Sequence, residues 1–400
     1  LTQAEFEVIS HKISDEQQEY QKLARDFATR ELASSAAKFD QSGEFPTALF
    51  AKLWETGLVN AAIAEKYNGL GLSAVDNCLI AEELAAGCSG IAASVEASHF
   101  AQQFVIDFGS AEQKQTYLAP LTEEPLLAGF SMAGGLKSGR LFYRKEGDKY
   151  VLSGKHNAFV NGGIAAWYLV AASEDRREIG ADGEFDKGRD ERALPPARTT
   201  YFLVKNDDDD AIDFGDRLFS LGRKAQVIRS GRLDEVYLPE SALLGAEGQG
   251  DAMYRTSSIR TYALIAAGMT GVARSAMEHA LKYGKERTTF GVAIAQHQVI
   301  SFMLADMAKD IEAARLLYMQ AAQLADQNIV ATSEAVCAKA FAQEMVMRVT
   351  TDAVQIFGGY GFSREYPVEK LMRDAKAYQL FEHTADAHKV ELGRQLVTSV

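Results

Sequence analysis

The spacing of apolar side chains changes twice along this chain, and that double change constrains its fold more than any other feature. Up to about residue 128, apolar residues recur every three or four positions, as in DEQQEYQKLARDFATRELA, PTALFAKLWETGL and VDNCLIAEELAA. That is the period of helices burying one side. Between 129 and 245 the pattern gives way to DKYVLSGKHNAFVNGG, AWYLVAAS, TTYFLVKN and GRLDEVYLP, short β-rich runs separated by turns. From 246 the helical period returns over long Ala-, Leu-, Met- and Glu-rich stretches. The expectation is an α+β chain with an N-terminal helical domain (1–128), a central β domain (129–245) and a C-terminal helical domain (246–400).

Local signals agree. Asp15, after Ser14, is expected to cap the first helix, and Pro46 to sit in the first turn of the second. Asn68, Gly69 and Gly71 break the helical pattern. The charged segment 174–198 reads as an exposed insertion, and 207–210, four aspartates, as a solvated turn. The C-terminal helices carry more apolar surface than one stripe, which implies packing on several sides and self-association.

Composition excludes several function classes. A net charge of −13 with no basic stripe argues against nucleic acid. Cys78, Cys88 and Cys337 form no CxxC pair, and the seven histidines lack metal-ligand spacing, so no metal is expected. Apolar runs such as 262–269 are too short to span a bilayer, and no basic-then-apolar leader pattern is seen. A soluble cytoplasmic protein is the expectation.

The richest segment is QIFGGYGFSREYPVEKLMRDAKAYQLFEHT, residues 355–384. Glycines precede a helix, and a carboxylate, Glu382, follows it. A base at a helix-to-loop junction can reach into a pocket shaped by glycine backbone. AVQIFGGYGF and EYPVEKLMRDAKAYQLFEHT closely resemble the C-terminal signature of the acyl-CoA dehydrogenases. The resemblance extends over nearly the whole chain. It implies the helical–β–helical fold, FAD as cofactor, an acyl-CoA substrate, electron-transfer flavoprotein as acceptor, and a tetramer or dimer whose FAD bridges two subunits.

Residue by residue, the resemblance makes Glu382 the base that abstracts the α-proton. KERTTFG is similar to the family element RxxFG, so Arg287 would meet the FAD pyrophosphate and Phe290 would pack near the cofactor, with Gln298 in the following HQ. Gln355, Gly358, Gly359 and Gly361 resemble the second dinucleotide-contacting element, and Thr384 the threonine two positions beyond the base. Arg260 resembles the arginine of DxxR near the CoA arm, with Ser257 where the aspartate stands in relatives. Glu96 matches the glutamate that ends the acyl pocket of medium-chain members, or is an ordinary exposed helix glutamate.

The middle of the chain departs from the family. TEPxAGSD reads MAGGLKSG, leaving Ser138 as the surviving cofactor- and substrate-contacting residue and Met132 in place of a hydroxyl donor. MWxTNGG reads NAFVNGG. Ala158 replaces the tryptophan and Val160 the threonine, while Asn161, Gly162 and Gly163 keep the turn. GxRxSxT reads GRKAQVI, with Lys224, Gln226 and Ile228 at its characteristic positions. His383 stands where relatives carry glycine, and either tunes Glu382 or turns outward.

These residues imply α,β-dehydrogenation of a short- or medium-chain acyl-CoA, with a branched or cyclic acyl group admitted by Ala158 and Val160. Desolvation by the acyl chain is expected to raise the Glu382 pKa. The other readings of the same residues are an enoyl-CoA reductase and a non-catalytic subunit presenting the 174–198 insertion.

Overall fold

The computed structural model describes residues 13–131, 140–175, 198–206, 211–329 and 331–398. Met132, Ser138, the aspartates 207–210 and nearly all of the 174–198 insertion lie outside the described residues. The chain forms two compact units. One holds the residues up to His99 with Phe219–Gln226 and Ser258 onward; the other holds Phe100–Leu218 and Val227–Ser257. The chain crosses between units within two helices, Ala74–Phe108 and Gly250–Glu286.

In the helical unit the first helix, Asp15–Phe27, is capped by Ser14, not Asp15. The Gln17 amide donates to Ser14 Oγ at 3.2 Å, and the Ser14 amide donates to Gln17 Oε1 at 3.0 Å. The hydroxyl wins because it lies one residue outside the helix, where it reaches the third amide; Asp15 then favours the positive helix end. Pro46 takes the N-cap place of the next helix, Thr47–Glu55. Ala74–Phe108 is long and apolar enough to cross a membrane by length and composition, but 83% of its apolar window is buried inside the protein.

Helices Ala74–Phe108, Gly250–Glu286 and Gln298–Asp326 meet around buried carboxylates. Arg315 Nη2 and Arg274 Nε donate to Glu82 Oε1 at 2.8 and 3.0 Å, and Tyr318 Oη donates to Oε2 at 2.5 Å. Arg274 also reaches Glu83, which accepts from Arg25 as well. Burial pushes the Glu82 pKa up, but the two guanidiniums and the phenol more than offset this and bring it to about 2. Gly271 permits the approach: a Cβ there would lie 2.0 Å from the Glu82 carbonyl oxygen.

The second unit is built on an eight-stranded mixed sheet. Its strands are β1 (Ala128–Ser131), β2 (Leu141–Glu146), β3 (Lys149–Val160), β4 (Trp167–Glu174), β5 (Thr199–Lys205), β6 (Asp213–Arg217), β7 (Ile228–Pro239) and β8 (Leu243–Leu244). The order is β6-β7-β3-β1-β4-β5-β8, with β2 paired to β3 and β4. Pairings are antiparallel except β1–β4 and β2–β4. Tyr143, Tyr150, Phe159, Tyr168 and Phe202 fill the core on one side of alternating strands. The β3–β7 register slips between His156 and Phe159, a bulge that re-aims Ala158.

Removing one partner of a buried ion pair strands the others. Glu82→Ala should lower unfolding free energy by on the order of 3 kcal/mol at pH 7 in urea titration. The Glu82 contribution is present above the ordinary carboxylate value of 4.5 and is lost as pH falls toward about 2. The gap between variant and wild type should close over that window.

Candidate active site

The helix Val368–Tyr378 ends four residues before Glu382. Glu382 and His383 then both take left-handed backbone, φ 49° and 77°. Two consecutive non-glycine residues in that region cost free energy and persist only where the surroundings hold them. The hold comes from the helix Thr332–Phe357. Gln343 Nε2 donates to the carbonyls of Tyr378 and His383, both at 2.9 Å. Lys339 Nζ, fully buried, donates to the carbonyls of Phe381, at 3.0 Å, and Glu382. The turn seats Glu382 inside the protein at 6% exposure. His383 is exposed, yet its ring lies edge-on to the buried His388.

Glu96 is 4% exposed, so the reading of it as an ordinary surface glutamate is overturned. Tyr378 Oη donates to its Oε1 at 2.7 Å, and Arg223 Nη2 to its Oε2 at 3.4 Å. The Arg223 guanidinium lies 3.3 Å from the centre of the Tyr378 ring. Burial raises the Glu96 pKa despite Arg223 and Tyr378, which pull it down. Arg223 takes φ 52°, and its amide donates to Asp374 Oδ1 at 2.5 Å. Burial opposes ionisation of Asp374, but Lys370, the Arg223 amide and Ser89 hold its pKa below the usual range. Gln226, in the serine position of the altered GxRxSxT, donates to the Ala93 carbonyl at 3.0 Å. A cavity of about 30 Å³ lies against Glu96, His99, Asn60 and Asn77, room for a water or two.

Two of the elements assigned to the nucleotide meet through an aromatic cluster. Tyr283 stacks on Phe357 at 4.2 Å and 15°, and Tyr366 packs edge-on to both. Tyr283 precedes Arg287 by one helical turn, and Phe357 directly precedes Gly358, so the stack brings the two elements together. Arg287 is exposed, as are Gln298, Gln355 and Thr384, whose hydroxyl accepts from the Ala387 amide. Phe290 and Gly291 form a two-residue turn with φ 51° and 83° between Thr288–Thr289 and Val292–Ala293, leaving Phe290 98% exposed. Gly358 ends its helix with φ 58°, and a Cβ added at Gly358 or Gly359 would meet nothing within 4 Å. An exposed arginine and glycine backbone open to close approach fit a dinucleotide phosphate. Arg260 Nη2 donates to Asn328 Oδ1 at 3.1 Å.

In the second unit, Ser257 Oγ donates to Asp107 at 2.7 Å. The turn at Asn161, Gly162 and Gly163 forms. Asn161 Nδ2 donates to the Ala128 carbonyl, Tyr168 Oη donates to the Asn161 carbonyl, and the Gly163 amide donates to Tyr168 Oη. Ala158 and Val160 are buried, so the room given up by an indole and a hydroxyl is not open to solvent. No set of histidine, cysteine and carboxylate side chains among the described residues could hold a metal ion.

Sequence reasoning missed Arg223, Tyr378 and Lys339. Lys339 had a signal: Ala335, Val336, Ala342 and Gln343 flank it at helical spacing, which puts it on the buried side of its helix. Arg223 had none, because its role depends on a left-handed backbone that only the fold selects.

Residues 14–125 match the model of the acyl-CoA dehydrogenase N-terminal domain, and 248–397 that of the C-terminal domain. A probable medium-chain specific mitochondrial acyl-CoA dehydrogenase 2 of Caenorhabditis briggsae is 31% identical over 98% of this chain and 93% of its own. Butyryl-CoA dehydrogenase of Megasphaera elsdenii is 31% identical with TM-score 0.87, covering 97% of this chain and all of that one. A chain in the structure of the electron transferring flavoprotein of Acidaminococcus fermentans is 31% identical with TM-score 0.87, covering 97% and 99%. The chain belongs to the acyl-CoA dehydrogenase family, FAD-dependent oxidoreductases.

A Cβ at Gly268 would lie 2.2 Å from Glu96 Oε1 and 2.6 Å from Tyr378 Oη, whereas one at Gly393 would meet nothing within 4 Å. Gly268→Ala should therefore destabilise by about 1–3 kcal/mol. Gly393→Ala, in the helix Ala385–Thr398, should stabilise by about 0.5–1 kcal/mol. Thermal denaturation of the two variants checks the opposite signs.

Proposed function

We propose that this protein dehydrogenates a short- or medium-chain acyl-CoA at Cα–Cβ, with Glu382 as the base. The observation that carries the reading is Glu382 itself, a carboxylate held out of bulk water by a turn in which the Tyr378, Phe381, Glu382 and His383 carbonyls are all bonded from one helix. A buried carboxylate on a fixed turn can meet a Cα–H without reorganisation, and removal of that proton by a positioned base accelerates the step by about 10²–10⁴-fold. In this reading the thioester carbonyl, where negative charge gathers as the proton leaves, accepts from the Glu382 amide. FAD, when bound, supplies the acceptor for the β-hydride. Arg287 would hold its phosphates, the backbone at Gly358 and Gly359 would let it approach closely, and Phe290, Gln298, Gln355 and Thr384 would contact it. Arg260 faces the CoA arm.

Glu96, with Tyr378 and Arg223, ends the acyl pocket. A buried ion pair there resists a longer apolar chain, because methylenes would displace hydrogen bonds that no water replaces. That favours short and medium chains. Phe290, Val299, Phe302 and Phe362 are 60–98% exposed, a large apolar area for a solvated surface. This supports self-association with a second copy of the chain. Electron-transfer flavoprotein as electron acceptor is supported by the similarity to a chain solved in a structure of that protein. The altered Ala158 and Val160 support a branched or cyclic acyl group as the second substrate class.

The test is anaerobic mixing of purified holoprotein with butyryl-, octanoyl-, isobutyryl- and cyclohexanecarbonyl-CoA, followed by flavin absorbance. Bleaching with the short straight chains is expected. Glu382→Gln should keep FAD and acyl-CoA binding and slow bleaching by about 10²–10⁴-fold. Undiminished bleaching in that variant refutes the base assignment.

A further inference from the structure

Lys339 is a lysine at 0% exposure in the helix Thr332–Phe357. An ammonium out of water requires acceptors on every side. Its acceptors are the carbonyls of Phe381 and Glu382 and the ring nitrogen His388 Nε2, at 3.0 Å, with the Tyr262 ring 4.7 Å beneath it. Two of these acceptors belong to the turn that carries the carboxylate. The turn needs them: φ 49° at Glu382 and 77° at His383 are values that ordinary side chains rarely take. An apolar side chain at 339 would remove both of these donations and loosen the hold on the turn.

We propose that Lys339 is the positioning residue of the active site: by donating to the Phe381 and Glu382 carbonyls it locks the left-handed turn that aims the Glu382 carboxylate. This rests on the reading of Glu382 as the base. Gln343 supports the turn from its two ends, at Tyr378 and His383, while Lys339 grips its centre.

The grip is sensitive to protonation. The groups facing Lys339 are Glu382 and His383 on the turn, His388 on the helix Ala385–Thr398 and Tyr262 on the helix Gly250–Glu286. Burial lowers the Lys339 pKa to about 7, against the opposing pull of Glu382. Burial and Lys339 lower His388 to about 3, so its ring is neutral and free to accept. Below pH 7 the ammonium has three N–H donors for its three acceptors. Above it the amine has two, and one hold is lost.

The experiment compares wild type, Lys339→Met, Lys339→Gln and Glu382→Gln as FAD holoproteins. The probe is butyryl-CoA or octanoyl-CoA, whichever bleaches the wild type. The second-order rate constant for flavin reduction, which follows ionisations of the free enzyme, is measured from pH 5.5 to 9, with acyl-CoA affinity alongside. The wild type should have a descending step near pH 7. Lys339→Met should reduce flavin about 10- to 100-fold more slowly with acyl-CoA affinity little changed, and without the step. Lys339→Gln, which keeps two N–H donors and no titration, should recover most of the rate and remain flat near pH 7.

A Lys339→Met holoprotein with wild-type rate and profile overturns the proposal. So does a step near pH 7 that survives in Lys339→Gln, or a wild-type profile without one. If Lys339→Met fails to load FAD, the Lys339→Gln profile decides by the same criterion. Glu382→Gln separates the two ideas. A silent Glu382→Gln beside a normal Lys339→Met sinks only the positioning role, whereas a bleaching Glu382→Gln sinks the base itself.

Discussion

The helical unit depends on pairing charge where water is excluded. Glu82, Glu83, Glu96, Lys339, Lys370 and Asp374 are all at or below 9% exposure. An isolated ion so placed would neutralise or unfold the region. They are instead compensated by other residues, mostly distant in sequence: Glu82 by Arg274 and Arg315, Glu96 by Arg223, Asp374 by Ser89 and, one helical turn away, by Lys370. Such pairs add little net stability over apolar packing, but they are intolerant of wrong geometry. They therefore fix which helix faces meet, and the small residues follow from them: Gly268 and Gly271 are the places where a helix must come against a carboxylate or a carbonyl.

The same compensation extends into the site. Asp374 reaches back to the Arg223 amide, holding a left-handed residue whose guanidinium then stacks on Tyr378 and meets Glu96. Four residues after Tyr378 comes Glu382. One short helix, Val368–Tyr378, thus carries both Tyr378, which bonds Glu96, and the lead-in to Glu382.

The altered central motifs have a structural meaning beyond loss. Gln226 uses its longer side chain to bond the Ala93 carbonyl, a contact a serine is too short to copy. The Asn161 turn survives intact with Tyr168 beneath it. Ala158 and Val160 are enclosed despite their smaller or apolar side chains. The chain has kept the backbone of these elements while changing the chemistry they present.

Periodicity alone located the helices and the β-rich middle, because burial on one side of an element leaves a repeating mark in sequence. The residues around Arg287, the glycines and Glu382 stood out through their resemblance to the family's motifs, and the structure puts Glu382 on a tight, buried turn. Sequence could not decide Glu96, whose exposed and buried readings stood equal until Arg223 and Tyr378 came to it from 127 and 282 residues away. Nor could it reveal that Lys339 grips the turn, since that contact bridges 43 residues. The division has a physical cause. Hydrophobic pattern and backbone preference act locally and are written in neighbouring residues, whereas the compensation of a buried charge is fixed only when the fold brings distant side chains within hydrogen-bonding reach.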